Sequence, residues 1–90
     1  MIKKRFLIFG VVQGVGFRYF TWCEARKMGL HGFVRNRADG SVEVIVAGEE
    51  SQIARLHRWL LKGPRTAKVE QVLAQEYDGP LVNDGFSVSS

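Results

Sequence analysis

Apolar positions along this chain follow two repeats, one of two residues and one close to 3.6 residues, and the repeats change from segment to segment. The two-residue repeat predicts four strands and a possible short fifth one, at residues 4–11, 30–36, 41–47, 67–76 and 86–88. Residues 4–11 are apolar on both sides of the repeat, which is typical of a strand in the middle of a sheet.

The helical repeat occurs twice. The first helix begins at Phe17 and ends at Gly29, since glycine is favoured just beyond a helix end. The second begins at Glu49 and is stopped by Gly63 and Pro64. The residues predicted to face the core share helical spacing: Phe17, Thr21, Ala25 and Met28 in the first helix, and Ile53, Leu56, Leu60 and as a further candidate Leu61 in the second.

The order strand, helix, strand, strand, helix, strand predicts the ferredoxin-like α+β sandwich, in which an antiparallel sheet carries both helices on one face. Residues 30–36 and 41–47 lie too close along the chain for any connection except a hairpin. The step from Val69 to Val72 breaks the strict alternation and predicts a bulge in the fourth strand.

Composition limits the class of protein. The chain has 90 residues, 46% of them apolar and 24% charged, which predicts a single folded domain over residues 1–90. The formal charge of +4 favours an anionic partner. Cys23 is the one cysteine and His31 and His57 are the only histidines, so no spacing typical of metal ligands is present and no metal is expected. No apolar run reaches the roughly 20 residues of a membrane-spanning helix, and we expect a monomer in a reducing cytoplasm.

The stretch Gly10-Val-Val-Gln-Gly-Val-Gly-Phe-Arg18, called the glycine loop below, joins the first strand to the first helix. Its backbone N–H groups and the helix N-terminus behind them can bind an anion, and Arg18 adds a planar cation in the first helical turn. The loop lacks the third glycine of dinucleotide-binding loops and the Lys-Ser or Lys-Thr of P-loops. From these residues alone, a tight turn without a ligand stays an equal alternative.

The same loop, followed by Gly32-Phe-Val-Arg-Asn36 and by Asp39-Gly40-Ser-Val-Glu43, resembles the two signature segments of the acylphosphatases. The resemblance extends over essentially the whole chain and includes the Gly63-Pro64 step. It implies the same sandwich fold and the metal-free hydrolysis of small acyl phosphates, with inorganic phosphate as product and inhibitor and no cofactor.

Carried over to this sequence, the resemblance implies that Arg18 and Asn36 are catalytic. Arg18 would hold the phosphoryl oxygens, and the Asn36 amide would position the attacking water. The phosphate-binding residues implied are Gln13, Gly14, Val15, Gly16, Phe17 and Arg18. Two positions depart from the family pattern, which commonly has arginine where this chain has Val11 and can have threonine where it has Arg37.

Two other functions stay open at this point. An RNA-recognition domain has the same length and strand order, and Leu7-Ile8-Phe9 and Gly32-Phe33-Val34 faintly resemble its two strand motifs, although a further aromatic is expected where Arg35 and Asn36 stand. A catalytically weak relative that binds a partner is the second alternative, because of the departures at Val11 and Arg37. We expect neither a nucleic acid nor a membrane as partner.

Overall fold

A computed structural model describes residues 1–81 and 84–89. In chain order the elements are β1 Ile2–Val11, α1 Phe17–Lys27, β2 His31–Asn36, β3 Val42–Gly48, α2 Glu50–Lys62, β4 Lys68–Glu76 and β5 Phe86–Ser89. All the predicted elements are present, the fifth strand included, and their ends differ from the predicted ones by no more than two residues.

The strands form one sheet in the order β4-β1-β3-β2-β5, so β1 lies inside the sheet as its two apolar sides predicted. The first four strands pair antiparallel, but β5 runs parallel to β2, and the prediction of an antiparallel sheet is therefore corrected to a mixed one. The connection after β4 accounts for this direction. It contacts Lys3 through the Gly79 carbonyl at 2.8 Å and His31 through the Gly85 N–H at 2.8 Å, both at strand starts, so β5 begins at the same end of the sheet as β2.

One face of the sheet packs against both helices. Phe6 lies opposite Val44 and Val34 lies opposite the same residue on the other side, so these side chains share a face. They pack with the buried residues of the helices, namely Phe17 and Ala25 of α1 and Ile53, Leu56 and Leu60 of α2. Thr21 is buried beside them, Met28 packs at the edge, and Leu61 is exposed. The arrangement is the ferredoxin-like sandwich that the order of elements predicts.

The other face of the sheet carries no helix but buries a charged residue. Glu43 is 4% exposed, and its two carboxylate oxygens contact the Nε atoms of Arg5 at 2.7 Å and Arg35 at 2.5 Å. RNA-recognition domains stack bases on exposed aromatics of adjacent central strands. Here β3 separates β1 from β2, and it presents Glu43 and Ile45, both buried, to this face. The structure thus disfavours the RNA-recognition alternative.

The bulge predicted in the fourth strand is confirmed. Phe9 pairs with Gln71 and the next residue, Gly10, pairs with Val69, so Glu70 is the extra residue of β4. A bulge bends its strand and increases the local twist. It lies at the end of β1 where the glycine loop begins, and the loop leaves the sheet towards α1.

Candidate active site

The glycine loop turns the chain into α1 through two left-handed residues. Gly14 has φ +76 and Gly16 has φ +80, a region that glycine enters without steric cost. Gly16 is the N-cap of α1, no side chain caps the helix, and the first turn contains no acidic residue. The Phe20 N–H donates to the Gly16 carbonyl at 3.1 Å, and the N–H groups before Phe20 have no carbonyl to bond within the helix. The positive end of the helix is thus available to an anion.

The loop is fixed by contacts of its other residues. Gln13 Nε2 donates to the carbonyls of Arg37 and Ser41, both at 2.8 Å, and so joins the loop to the turn between β2 and β3. The Val15 carbonyl accepts a hydrogen bond from Thr66 Oγ1 at 2.6 Å. The side chain of Gln13 is therefore engaged with protein carbonyls, and we infer that it has a positioning role. These contacts leave the predicted use of the backbone N–H groups of Gln13 and Val15 unchanged.

The turn that receives Gln13 is itself ordered by a carboxylate. The Asp39 Oδ1 accepts hydrogen bonds from the Ser41 backbone N–H at 2.9 Å and from the Ser41 hydroxyl at 2.5 Å. These hydrogen bonds, more than the nearby Arg37, lower the pKa of Asp39 below its ordinary value. Arg37 contacts the other oxygen of Asp39 at 3.7 Å. The Arg37 side chain thus takes part in the turn that supports the loop.

Arg18 extends from the first turn of α1 to the end of β5. Its Nη1 donates to the Ser89 carbonyl at 2.9 Å, and its side chain is half-buried. This contact uses one of the five N–H donors of the guanidinium. The strand end therefore holds the cation beside the glycine loop, with donors left for an anion.

Asn36 is the last residue of β2. It lies opposite Val42, in phase with Val34, so its side chain is on the helix-covered face of the sheet, beside the N-terminus of α1. The Asn36 Oδ1 atom is buried and has no hydrogen-bond partner. A buried acceptor without a partner costs about 1–3 kcal/mol. Arg5 Nε and Thr21 Oγ1 also have no hydrogen-bond partner, but of these three residues Asn36 alone lines the cleft described next.

These residues line a common cleft of about 270 Å³. Of the predicted site residues, Gly14, Gly16, Phe17, Arg18 and Asn36 border it, whereas Gln13 and Val15 are not among its lining residues. Three lining residues were missed from sequence: Val12, Tyr19 and Val88. Tyr19 follows Arg18 directly and could have been suspected from that position. Val88 had no local signal, since only the parallel pairing of β5 brings it here.

Among residues 1–81 and 84–89, no group of three or more His, Cys, Asp or Glu side chains is placed to hold a metal ion. No helix within those ranges is long and apolar enough to cross a membrane.

Gln13→Ala tests the positioning role. We expect the free energy of unfolding to fall by about 1–2 kcal/mol, because the Arg37 and Ser41 carbonyls each lose one of two donors. The affinity for inorganic phosphate should fall by about threefold to tenfold as the loop loosens. Urea unfolding and calorimetric titration with phosphate measure the two effects. The matched control is Gln52→Ala, since the side chain of Gln52 accepts an exposed hydrogen bond from Arg55 on α2. Unchanged stability and affinity in Gln13→Ala would contradict the assignment.

The chain is similar to known proteins over almost its whole length. The family model described as Acylphosphatase matches residues 4–88. The acylphosphatase of Pasteurella multocida (strain Pm70) is 58% identical over 88 residues, which cover 98% of this chain and 98% of the relative. The crystal structure of acylphosphatase from Bacillus subtilis aligns with a TM-score of 0.93 at 36% identity and covers 100% of both chains. A structure of an acylphosphatase from Coxiella burnetii has a TM-score of 0.90 at 33% identity and covers 98% of this chain and 92% of its own.

The family match thus includes both halves of the cleft, the glycine loop and the end of β2, together with the fold that joins them. By sequence and by structure, the chain belongs to the acylphosphatase family, whose members hydrolyse acyl phosphates.

Proposed function

We propose that this acylphosphatase cleaves the carboxyl–phosphate bond without a metal ion, by holding the phosphoryl group in the glycine loop and orienting a water molecule with Asn36. The observation that carries the proposal is the buried, unpartnered Oδ1 of Asn36 in the same cleft as Arg18 and the open N-terminus of α1. The substrate is a small acyl phosphate, and the products are a carboxylate and inorganic phosphate.

Phosphoryl binding would use backbone and side chain together. The N–H groups of residues 13–18 and the positive end of α1 form the donor set, and Arg18 adds a full charge that can contact two oxygens at once. In phosphoryl transfer the transition-state charge is spread over the equatorial oxygens, so donors fixed around these oxygens stabilise it most. The contact of Arg18 with Ser89 supports this role, because a held guanidinium needs little reorganisation.

Asn36 would act on the nucleophile. Its Oδ1 can accept a hydrogen bond from a water O–H, which directs a lone pair of that water at phosphorus. The water–phosphorus bond forms as the bond between phosphorus and the acyl oxygen breaks, and the carboxylate leaves with the bonding electrons. The proton of the water passes to the phosphate or to the leaving carboxylate. A carboxylate is already a good leaving group, so positioning and charge stabilisation suffice without a strong base.

The direct test is the release of phosphate from benzoyl phosphate by the purified protein in excess EDTA. We expect hydrolysis well above the uncatalysed rate and unchanged by the chelator, and competitive inhibition by inorganic phosphate. Hydrolysis that stops in EDTA and returns with a divalent cation would overturn the metal-free mechanism. Phosphate binding in calorimetry without turnover would instead favour the catalytically weak relative that the departures at Val11 and Arg37 left open.

The remaining parts of the proposal concern the context of the enzyme. Residues 1–90 would act as one domain, supported by a core that joins both helices to the sheet. The enzyme would be a monomer, supported by a cleft that residues of one chain line on several sides. A cytoplasmic location fits the single cysteine, which suits a reducing compartment.

A further inference from the structure

We propose that Tyr19 and Val88 form an apolar wall that binds the acyl group of the substrate, so that the enzyme prefers acyl phosphates with an aromatic or bulky apolar acyl group over acetyl phosphate. Below, these two residues are called the acyl wall. The inference rests on the proposed function, because it places the phosphoryl group of the same substrate against Arg18 and Asn36.

The two residues of the acyl wall leave apolar surface exposed to water inside the cleft. Tyr19 is 59% exposed and Val88 is 45% exposed, and both line the cleft that Arg18 and Asn36 border. With phosphate at the glycine loop, the acyl group can extend from the phosphoryl oxygen along the walls of that cleft. An apolar acyl group would cover the exposed faces of both residues and remove them from water.

The acyl wall is held in place from both sides. The Tyr19 ring stacks on Trp22 with a centroid distance of 6.0 Å and an interplanar angle of 28°. Trp22 Nε1 donates in turn to the Phe86 carbonyl at 3.1 Å, on the same strand as Val88. Arg18 adds the second link between α1 and β5 through Ser89. A surface fixed before the ligand arrives binds with less loss of conformational entropy than a mobile one.

Charge in the cleft limits the acyl group further. No carboxylate is among the described residues that line it, and Arg18 is the one cation there. The phosphoryl group uses that cation, so a second charge on the acyl group would find no counter-charge. The Tyr19 phenol is neutral at physiological pH because the ordinary pKa of a phenol is about 10, and a hydrogen bond with the Cys23 side chain raises the pKa of Tyr19 further. The chemical class that fits is therefore a phosphate of a monocarboxylic acid with an uncharged, apolar body.

The test compares kcat/KM for benzoyl phosphate and acetyl phosphate in the wild type and in Tyr19→Ala. We expect the variant to lose about tenfold with benzoyl phosphate and less than about twofold with acetyl phosphate, as for loss of an aromatic contact. Val88→Thr keeps the branched shape that suits a strand and should lose about twofold to threefold, again with benzoyl phosphate alone. Leu61→Ala is the matched control, since Leu61 is 54% exposed on α2 and does not line the cleft.

Binding of phosphonates separates failure of this inference from failure of the proposed function. Calorimetry should show that phenylphosphonate binds more tightly than methylphosphonate to the wild type, and that Tyr19→Ala removes this difference while inorganic phosphate still binds. Equal losses with both substrates, or a phenylphosphonate preference that survives in Tyr19→Ala, would overturn the acyl wall while leaving the hydrolytic function intact. Lack of hydrolysis by the wild type would count against the proposed function, and the phosphonate comparison would still decide on the wall.

Discussion

Arg18→Gln is expected to lower kcat/KM for benzoyl phosphate by about a thousandfold, since it removes the one cation among the described residues that line the cleft, together with its paired donors. Inhibition by inorganic phosphate should weaken strongly as well, because ground state and transition state both carry the phosphoryl charge. Arg18→Lys should fall in between, since it keeps the charge but lacks the planar fork that contacts two oxygens. Steady-state kinetics at several phosphate concentrations give both quantities.

Arg58→Gln is the matched control for this variant, because Arg58 is exposed on α2 and outside the cleft. It makes the same change in charge and should keep nearly full activity. The substitution at Arg18 also removes the donor to the Ser89 carbonyl, so urea unfolding must show that the variant is folded in the assay. A folded Arg18→Gln with activity within tenfold of the wild type would refute the role of Arg18 in phosphoryl binding.

Asn36→Ala is expected to lower kcat by about a hundredfold while the inhibition constant of inorganic phosphate changes by less than about threefold. The reason for the split is that Asn36 acts on the water and the glycine loop acts on the phosphoryl group. Full activity in Asn36→Ala would exclude the water-positioning role, and an equal loss of phosphate affinity would make Asn36 a binding residue instead.

The stability of Asn36→Ala supplies a second readout. Because the Asn36 Oδ1 is buried without a partner, its removal should leave the free energy of unfolding unchanged or raise it by up to about 1 kcal/mol. Most substitutions of partly buried residues destabilise a protein, so a variant that is slower but no less stable would indicate a residue kept for function. Val34→Ala provides the contrast, since it truncates a fully buried residue of the same strand and face and should destabilise the fold.

The fold was largely predictable from the sequence because the local pattern of apolar residues indicates most of its elements. The stripe of Phe17, Thr21 and Ala25 has the period of a helix, and β1 has apolar residues on both sides, as a strand between two neighbours requires. The bulge at Glu70 also left a local trace, a break in alternation. The direction of β5 left none, since a strand of four residues has the same pattern whichever way it runs beside β2.

In the candidate site too, some features were predictable from the local sequence and others were not. Gly14, Gly16 and Arg18 were predictable because a strand, a glycine-rich turn and a helix follow one another along the chain. The hydrogen bonds of the Gln13 side chain were not predictable, because they join it to carbonyl oxygens of residues 24 and 28 positions away. A local pattern does not show which way such a side chain turns.

By itself, the sequence determined the order of elements, the helix faces that become buried, and the glycine loop with its adjacent cation, because each depends on neighbours within a few positions of the chain. Only the tertiary structure decided that Asn36 has an acceptor buried without a partner and that Ser89, 71 residues away from Arg18, holds its guanidinium. It also decided that Val88 faces the cleft beside Tyr19. These features depend on the register in which distant segments such as β2 and β5 pair. That register minimises the free energy of the whole sheet and core rather than of any one segment.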